Sequence, residues 1–333
     1  MSMQEVTILS GRYRNQSIED VKCRLLRPIK LGAKGWYGNF EIPGMGVIRV
    51  SIPNEQSIEY HATESNATPE ELETDEAIIA RIEDRFAILE EITHSVAQGD
   101  VRSLIVSGAP GIGKSAGITK ILEKEKHQNG LEYTKVTGSI VSAYQLYQTL
   151  FENKELNSVL ILDDSDQILY DSNSVNLLKA ALESGNNPRI ISYHSDSVID
   201  LGLPKSFEFE GQIIFITNCD FQKIIDKDRA GIAKHLSALM DRSLYLSLTL
   251  HTRREIWCRI KSMVEKHGLL DSFDLTDRQI QDLLDYVHER NADFRSFSLR
   301  TVLQLAQFVK TSPNGWRRLS EAFQVRVEKK RQQ

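Results

Sequence analysis

Residues 108–115 read Gly108-Ala109-Pro110-Gly111-Ile112-Gly113-Lys114-Ser115, directly after the apolar run Leu104–Val106. The spacing is G-x-x-x-x-G-K-[ST], with a strand signal before it and a helix signal, Ile118 to about Glu125, after it. Glycines at 108, 111 and 113 let backbone N–H groups turn inward without a Cβ clash. The N-terminus of the following helix adds the positive end of its dipole. The stretch therefore predicts a strand–loop–helix cradle for phosphate oxygens, formed by residues 108–115 together with Ala116. Lys114 is expected against the β- and γ-phosphates of a nucleotide, and Ser115 on a Mg²⁺ ion.

A second stretch, "LILDDSDQI" at 160–168, places Asp163, Asp164 and Asp166 within four positions at the end of an apolar run. Like charges this close repel, and a carboxylate at the end of a buried strand is costly to desolvate. A surface turn tolerates them, and so does a bound cation. In the P-loop fold, which the loop resembles, a second strand ends beside it and delivers an acidic residue to the Mg²⁺ shell; Asp163, 49 residues beyond Lys114 (163 − 114), is expected to hold the ion there through its waters. Asp164 is then expected to orient or deprotonate the attacking water, and Asp166 to be a helix N-cap or surface residue.

Composition bounds the rest. A chain of 333 residues suggests two or three domains, and 41% apolar with 26% charged residues is ordinary for a globular protein. The net charge of −5 supplies no global field toward DNA or acidic membranes, so any nucleic-acid contact must come from a local patch. Cys23, Cys219 and Cys258 are odd in number and in no metal-ligand spacing, which argues for a reducing compartment. There is no signal-peptide pattern and no apolar run of the roughly 20 residues that span a bilayer. A cytoplasmic location is expected.

Residues 1–62 read as a small β-rich domain, with Ile48, Val50 and Ile52 alternating against Val47, Arg49 and Ser51. Its opening, Val6 to Asn15, loosely resembles a KOW-type SH3-like barrel. Arg12, Arg14, Lys22, Arg24, Arg27, Lys30 and Lys34, with Tyr13, Trp36 and Tyr37, suggest either a nucleic-acid face or a solvated docking surface. Residues 63–76 read as an acidic linker, 77–249 as an α/β core and 250–333 as a helical domain. The runs "SLIVSG", "VLILDD", "RIISYH" and "IIFITN" are assigned to a parallel sheet covered on both faces. The basic tail "RVEKKRQQ" is either a phosphate contact or disordered.

Over roughly residues 75–320 the chain resembles the AAA+ ATPases. The phosphate loop and acidic strand carry this first, and three further motifs add to it. "QIIFITN" ends in Asn218, similar to the sensor 1 residue that positions the lytic water. "HLSALMDRSLYLSL" ends a helix in Arg242, similar to the arginine finger that reaches a neighbouring subunit's γ-phosphate; the alternatives are that Arg242 is a salt-bridged surface arginine or that Arg229 plays the part. Ser298-Leu-Arg300 resembles sensor 2, where Arg300 contacts the nucleotide from the lid, with Arg295 competing. Asp164 departs from the usual glutamate and is one methylene shorter, which implies slow hydrolysis or a nucleotide-gated switch.

The resemblance implies an α/β fold, a parallel-sheet P-loop AAA+ core with a C-terminal helical lid. It also implies ATP and Mg²⁺ as cofactors and assembly with itself as a ring or partial ring, with six subunits expected. DNA or a DNA-bound protein is the expected partner, in replication or recombination. The alternatives are protein remodelling and an assembly factor with slow turnover. The pore-loop tripeptide of protein unfoldases does not occur in "TGSIVSAYQLYQTLFENKE", where Tyr144 and Tyr147 read as a buried helix face or a pore contact.

Overall fold

A computed structural model describes every residue except 1–3, 15, 33–34, 44, 55–56, 61–72, 139, 186, 195–201, 228–230 and 326–333. Lys34, Arg229, most of the 63–76 linker and the basic tail lie outside the described residues, as does the side chain of Arg27. The chain divides into two compact units, Met1–Glu73 and Thr74–Gln333.

The first unit is an antiparallel sheet of seven strands: β1 (Gln4–Ile8), β2 (Gly11–Tyr13), β3 (Gln16–Ile18), β4 (Val21–Gly32), β5 (Gly35–Ile42), β6 (Gly46–Ile52) and β7 (Ile58–Tyr60). Their order is β3-β2-β6-β5-β4-β1-β7. In β6 the period-2 alternation buries Ile48, Val50 and Ile52 and exposes Val47, Arg49 and Ser51. The buried set packs with Val6, Ile8, Leu25 and Phe40, and Tyr13 and Trp36 pack against the same core. Those two rings therefore leave the expected aromatic face. Tyr37 stays on the opposite side, with the Arg49 guanidinium 3.5 Å from its ring centroid.

The second unit opens with helix α1 (Asp75–Ala97), which Thr74 caps by accepting from the Ala77 N–H. A parallel sheet follows, built of β8 (Ser103–Ser107), β9 (Glu132–Thr137), β10 (Ser158–Asp163), β13 (Gln212–Thr217) and β14 (Leu244–Ser247), in the order β14-β8-β13-β10-β9. Every residue of β8 and β13 is buried. Alternate residues face opposite layers. Leu104, Val106, Ile161 and Ile214 pack with α1 and with α2 (Lys114–Asn129). Ile105, Leu160, Leu162 and Phe215 pack with α3 (Ala143–Glu152), α4 (Ser172–Ala181), α5 (Phe221–Lys227) and α6 (Ala233–Arg242). Continuous apolar strands follow from cover on both faces. Helices α7 (Arg253–Glu265), α8 (Asp277–Glu289), α9 (Leu299–Thr311) and α10 (Trp316–Phe323) form a separate apolar cluster around Leu283, Val287, Val302 and Leu305.

One strand assignment is corrected. "RIISYH" does not join the parallel sheet; it forms β11 (Ile190–Ser192), a two-stranded antiparallel ribbon with β12 (Ser206–Glu208). Only Ile191 of β11 is buried, whereas Ile190 is 52% exposed, so the strand is half-buried and lacks the double cover of a central position. The sheet is completed by β9, a polar edge strand, and by β14. Tyr147 is fully buried on α3 and donates to the Pro204 carbonyl at 2.5 Å, and Tyr144 packs against the same core. This pair is a helix face.

Candidate nucleotide-binding site

The loop between β8 and α2 leaves the sheet at its C-terminal edge. Gly111 and Gly113 take left-handed φ values of 74° and 102°, which any side chain would strain. A Cβ at Gly111 would lie 2.9 Å from Ser298. Gly113 caps α2 without a side-chain bond, so the first-turn N–H groups of Lys114, Ser115 and Ala116 have no capping acceptor. Ile112 is buried and anchors the loop, while Pro110 is exposed at its tip.

Lys114 folds back over the loop and donates to the carbonyls of Gly108 (2.5 Å) and Ala109 (2.9 Å) and to Oδ1 of Asn218 (3.1 Å). Burial pushes its ammonium down to about 8, against the pull of Asp163, Asp164 and Asp166; the nearby charge of Arg300 depresses it further. A buried cation held by neutral carbonyls suits an incoming phosphate. The Ser115 hydroxyl donates to Oδ1 of Asp163 at 3.1 Å, joining a hydroxyl and a carboxylate as the hard oxygen ligands that Mg²⁺ takes.

Parallel pairing of β13 with β10, Ile216 opposite Asp163, sets Asn218 beside Asp164. The Asn218 amide donates to Oδ1 of Asp164 at 2.6 Å while its carbonyl oxygen accepts from Lys114. Asp164 itself has φ 53°, the turn at which the chain leaves the strand. Asp166 opens a short 3₁₀ turn and accepts the Asn218 backbone N–H at 3.4 Å. Ser165, not Asp166, holds the cap position, so the N-cap expectation for Asp166 is corrected.

The helical region reaches the same loop. Ser298 is the N-cap of α9, and the Leu299 N–H donates to the Gly111 carbonyl at 3.0 Å. Arg300 follows one residue later, exposed and close enough for its charge to act on Lys114. Arg295 turns elsewhere and donates to the Val325 carbonyl at 3.0 Å. Arg242, at the end of α6, pairs with Glu183 at 3.1 Å instead of joining this group.

No family model matches the chain. It is 36% identical over 256 residues to an "uncharacterized 36.7 kDa protein in nrdC-mobD intergenic region" of Enterobacteria phage T4, covering 77% of this chain and 78% of that one. The chain belongs to the family of this T4 protein. It is also 26% identical over 235 residues to the Lon protease of Campylobacter concisus (strain 13826), spanning 63% of its own length and 27% of the protease. Among solved structures, the RuvB Holliday junction branch migration motor of Thermotoga maritima superposes with a TM-score of 0.39 at 17% identity, over 73% of this chain and 64% of that one. Domain III of the replication initiation protein DnaA from the same organism superposes with a TM-score of 0.40 at 17% identity, over 68% and 85%.

Two members of the site carry no motif in the sequence. Arg259 of α7 is buried against the Phe86 ring (3.5 Å to the centroid), and its Nε donates to the Ile112 carbonyl at 3.5 Å. Burial pushes this guanidinium down to about 10. It ties the loop to α1 and to the helical region. Lys135 of β9 sets its Nζ 3.0 Å from Oδ2 of Asp163. An arginine within "WCRIK" and a lysine within "EYTKVT" look like ordinary surface cations until the chain is folded.

Proposed function

We propose that this protein is an AAA+-type ATPase that hydrolyses ATP to ADP and phosphate at the loop described above. The observation that carries this reading is the convergence of Lys114, Ser115, Asp163, Asp164 and Asn218 from three strand ends, with the α9 N-terminus bonded to the loop. Residues 108–116 would wrap the phosphates, and Ser115 and Asp163 would hold Mg²⁺. When bound, that ion neutralises charge developing on the phosphoryl oxygens. Lys114 would exchange its loop carbonyls for phosphate oxygens. Asp164 accepts the proton of the attacking water, and Asn218 keeps its carboxylate aimed. Arg300 senses the phosphates from the helical region, so loss of the γ-phosphate loosens that contact. Arg242 is assigned to the site of a neighbouring subunit in a ring or partial ring on its resemblance to the arginine finger alone; within its own chain it pairs with Glu183.

DNA is the partner this reading favours, on the strength of the first unit's outer face. Across β4, β5, β6 and β2, Lys30, Tyr37, Ser51 and Arg12 fall into one row by register, with Arg49 stacked on Tyr37. Cations around a half-exposed ring suit a phosphate backbone with a stacking base. ATP turnover by the intact chain, measured with and without single-stranded and duplex DNA, tests both parts. Lys114→Ala is expected to abolish turnover; parental turnover in that variant would overturn the ATPase reading. Turnover indifferent to DNA, together with no salt-sensitive DNA binding, would overturn the choice of partner.

A further inference from the structure

The carboxylate of Asp163 is engaged on both oxygens. Oδ1 accepts from the Ser115 hydroxyl at 3.1 Å, and Oδ2 lies 3.0 Å from the Lys135 ammonium. Strand register explains the second contact. Lys135 lies opposite Ile161, and Asp163 opposite Thr137, so Lys135 shares a sheet face with the aspartate and reaches one step along it. The Asp163 side chain is 8% exposed and that of Lys135 30%, which separates this pair from the solvent-screened pairs whose strength is near zero.

We propose that Lys135 is a tethered cation at the metal position, which sets how strongly nucleotide binding depends on Mg²⁺. The proposal rests on the nucleotide reading above. Without the ion, the ammonium neutralises Asp163, which would otherwise present a bare carboxylate to the phosphates. With the ion, two cations share one carboxylate, and their repulsion weakens the metal. Lys135 is thus a positioning residue that acts through Asp163 and raises metal-free nucleotide affinity at the expense of Mg²⁺ affinity.

Binding of a fluorescent ADP analogue, in EDTA and across a Mg²⁺ titration, tests this for the parent chain, Lys135→Met and Lys135→Arg. Thermal melts of each establish that the variants are folded. Lys135→Met is expected to bind the analogue at least about threefold more weakly in EDTA and to half-saturate at a Mg²⁺ concentration at least about threefold lower, the size of one partly screened charge contact. Lys135→Arg, which keeps the charge, is expected to follow the parent. Nucleotide binding with an unchanged Mg²⁺ midpoint in folded Lys135→Met would overturn the role of Lys135 alone. Absence of nucleotide binding by the parent chain at saturating Mg²⁺ would overturn the nucleotide reading, and this proposal with it.

Discussion

Asn218 is the residue on which the site turns. Its amide has two ends, one accepting from Lys114 and the other donating to Asp164, so a single side chain sets the distance between the proposed phosphate ligand and the proposed base. Asp164, one methylene shorter than a glutamate, is held by this direct 2.6 Å contact at a left-handed turn. Removing the base while keeping the shape should expose its role: Asp164→Asn is expected to lower kcat at least about 100-fold with little change in nucleotide affinity, as removal of a general base does. Asp164→Glu should retain turnover. An asparagine variant as fast as the parent would remove Asp164 from the chemistry. That Lys114, Ser115 and the two aspartates come together was legible from residue types and spacing, because a glycine-rich turn between strand and helix and an acidic strand end are local patterns. Lys135 and Arg259 were not, because a cation's partner depends on strand register and helix packing.

At the scale of elements, α7 ties the loop to α1 and to the helical region. Thr252 and Glu255 form a capping box at its start, and Glu255 also accepts from Arg81 of α1 at 2.9 Å. Burial alone would raise this carboxyl, but Arg81 and the backbone N–H groups of His251 and Thr252 outweigh it and hold it below its ordinary value of 4.5. The folded value being the lower one, the stabilisation is complete above about 4.5 and is lost as pH falls through the depressed value. Glu255→Gln is therefore expected to cost about 1–2 kcal/mol at neutral pH, read by urea unfolding, with the gap to the parent closing on acidification. Gly111 couples loop and α9 in a different way. Gly111→Ala meets both a left-handed φ and Ser298 at 2.9 Å, so it should cost about 1 kcal/mol or more and weaken nucleotide binding. An alanine variant that binds nucleotide like the parent would show that the loop–α9 contact is not needed.

At the scale of the whole molecule, the proposed chemistry needs more than one copy. Arg242 sits at the end of α6 in a half-exposed pair with Glu183, a contact that a stronger anion can replace. Arg242→Ala and Lys114→Ala chains, each inactive alone, are expected to recover part of the parental turnover when mixed, since some interfaces then join an intact loop to an intact arginine. A mixed assembly that forms without recovering turnover would exclude a role in trans. Among the described residues no helix is long and apolar enough to cross a membrane. The outer face of the first unit was only partly legible. Its cations could be counted, but which rings join them depends on which side of each strand faces the core, and Tyr13 and Trp36 went inward.

By itself the sequence determined the local chemistry: a glycine-rich loop between strand and helix, an acidic strand end, and an all-helical C-terminal region. These are short-range consequences of φ preference, hydrophobic period and charge. Only the tertiary structure decided that "RIISYH" leaves the parallel sheet for a half-buried ribbon, while polar β9 joins the edge and brings Lys135 to Asp163. The reason is physical. A strand's neighbour is chosen by which faces must be covered across the whole sheet, and a residue's own neighbours in the chain carry no record of that choice.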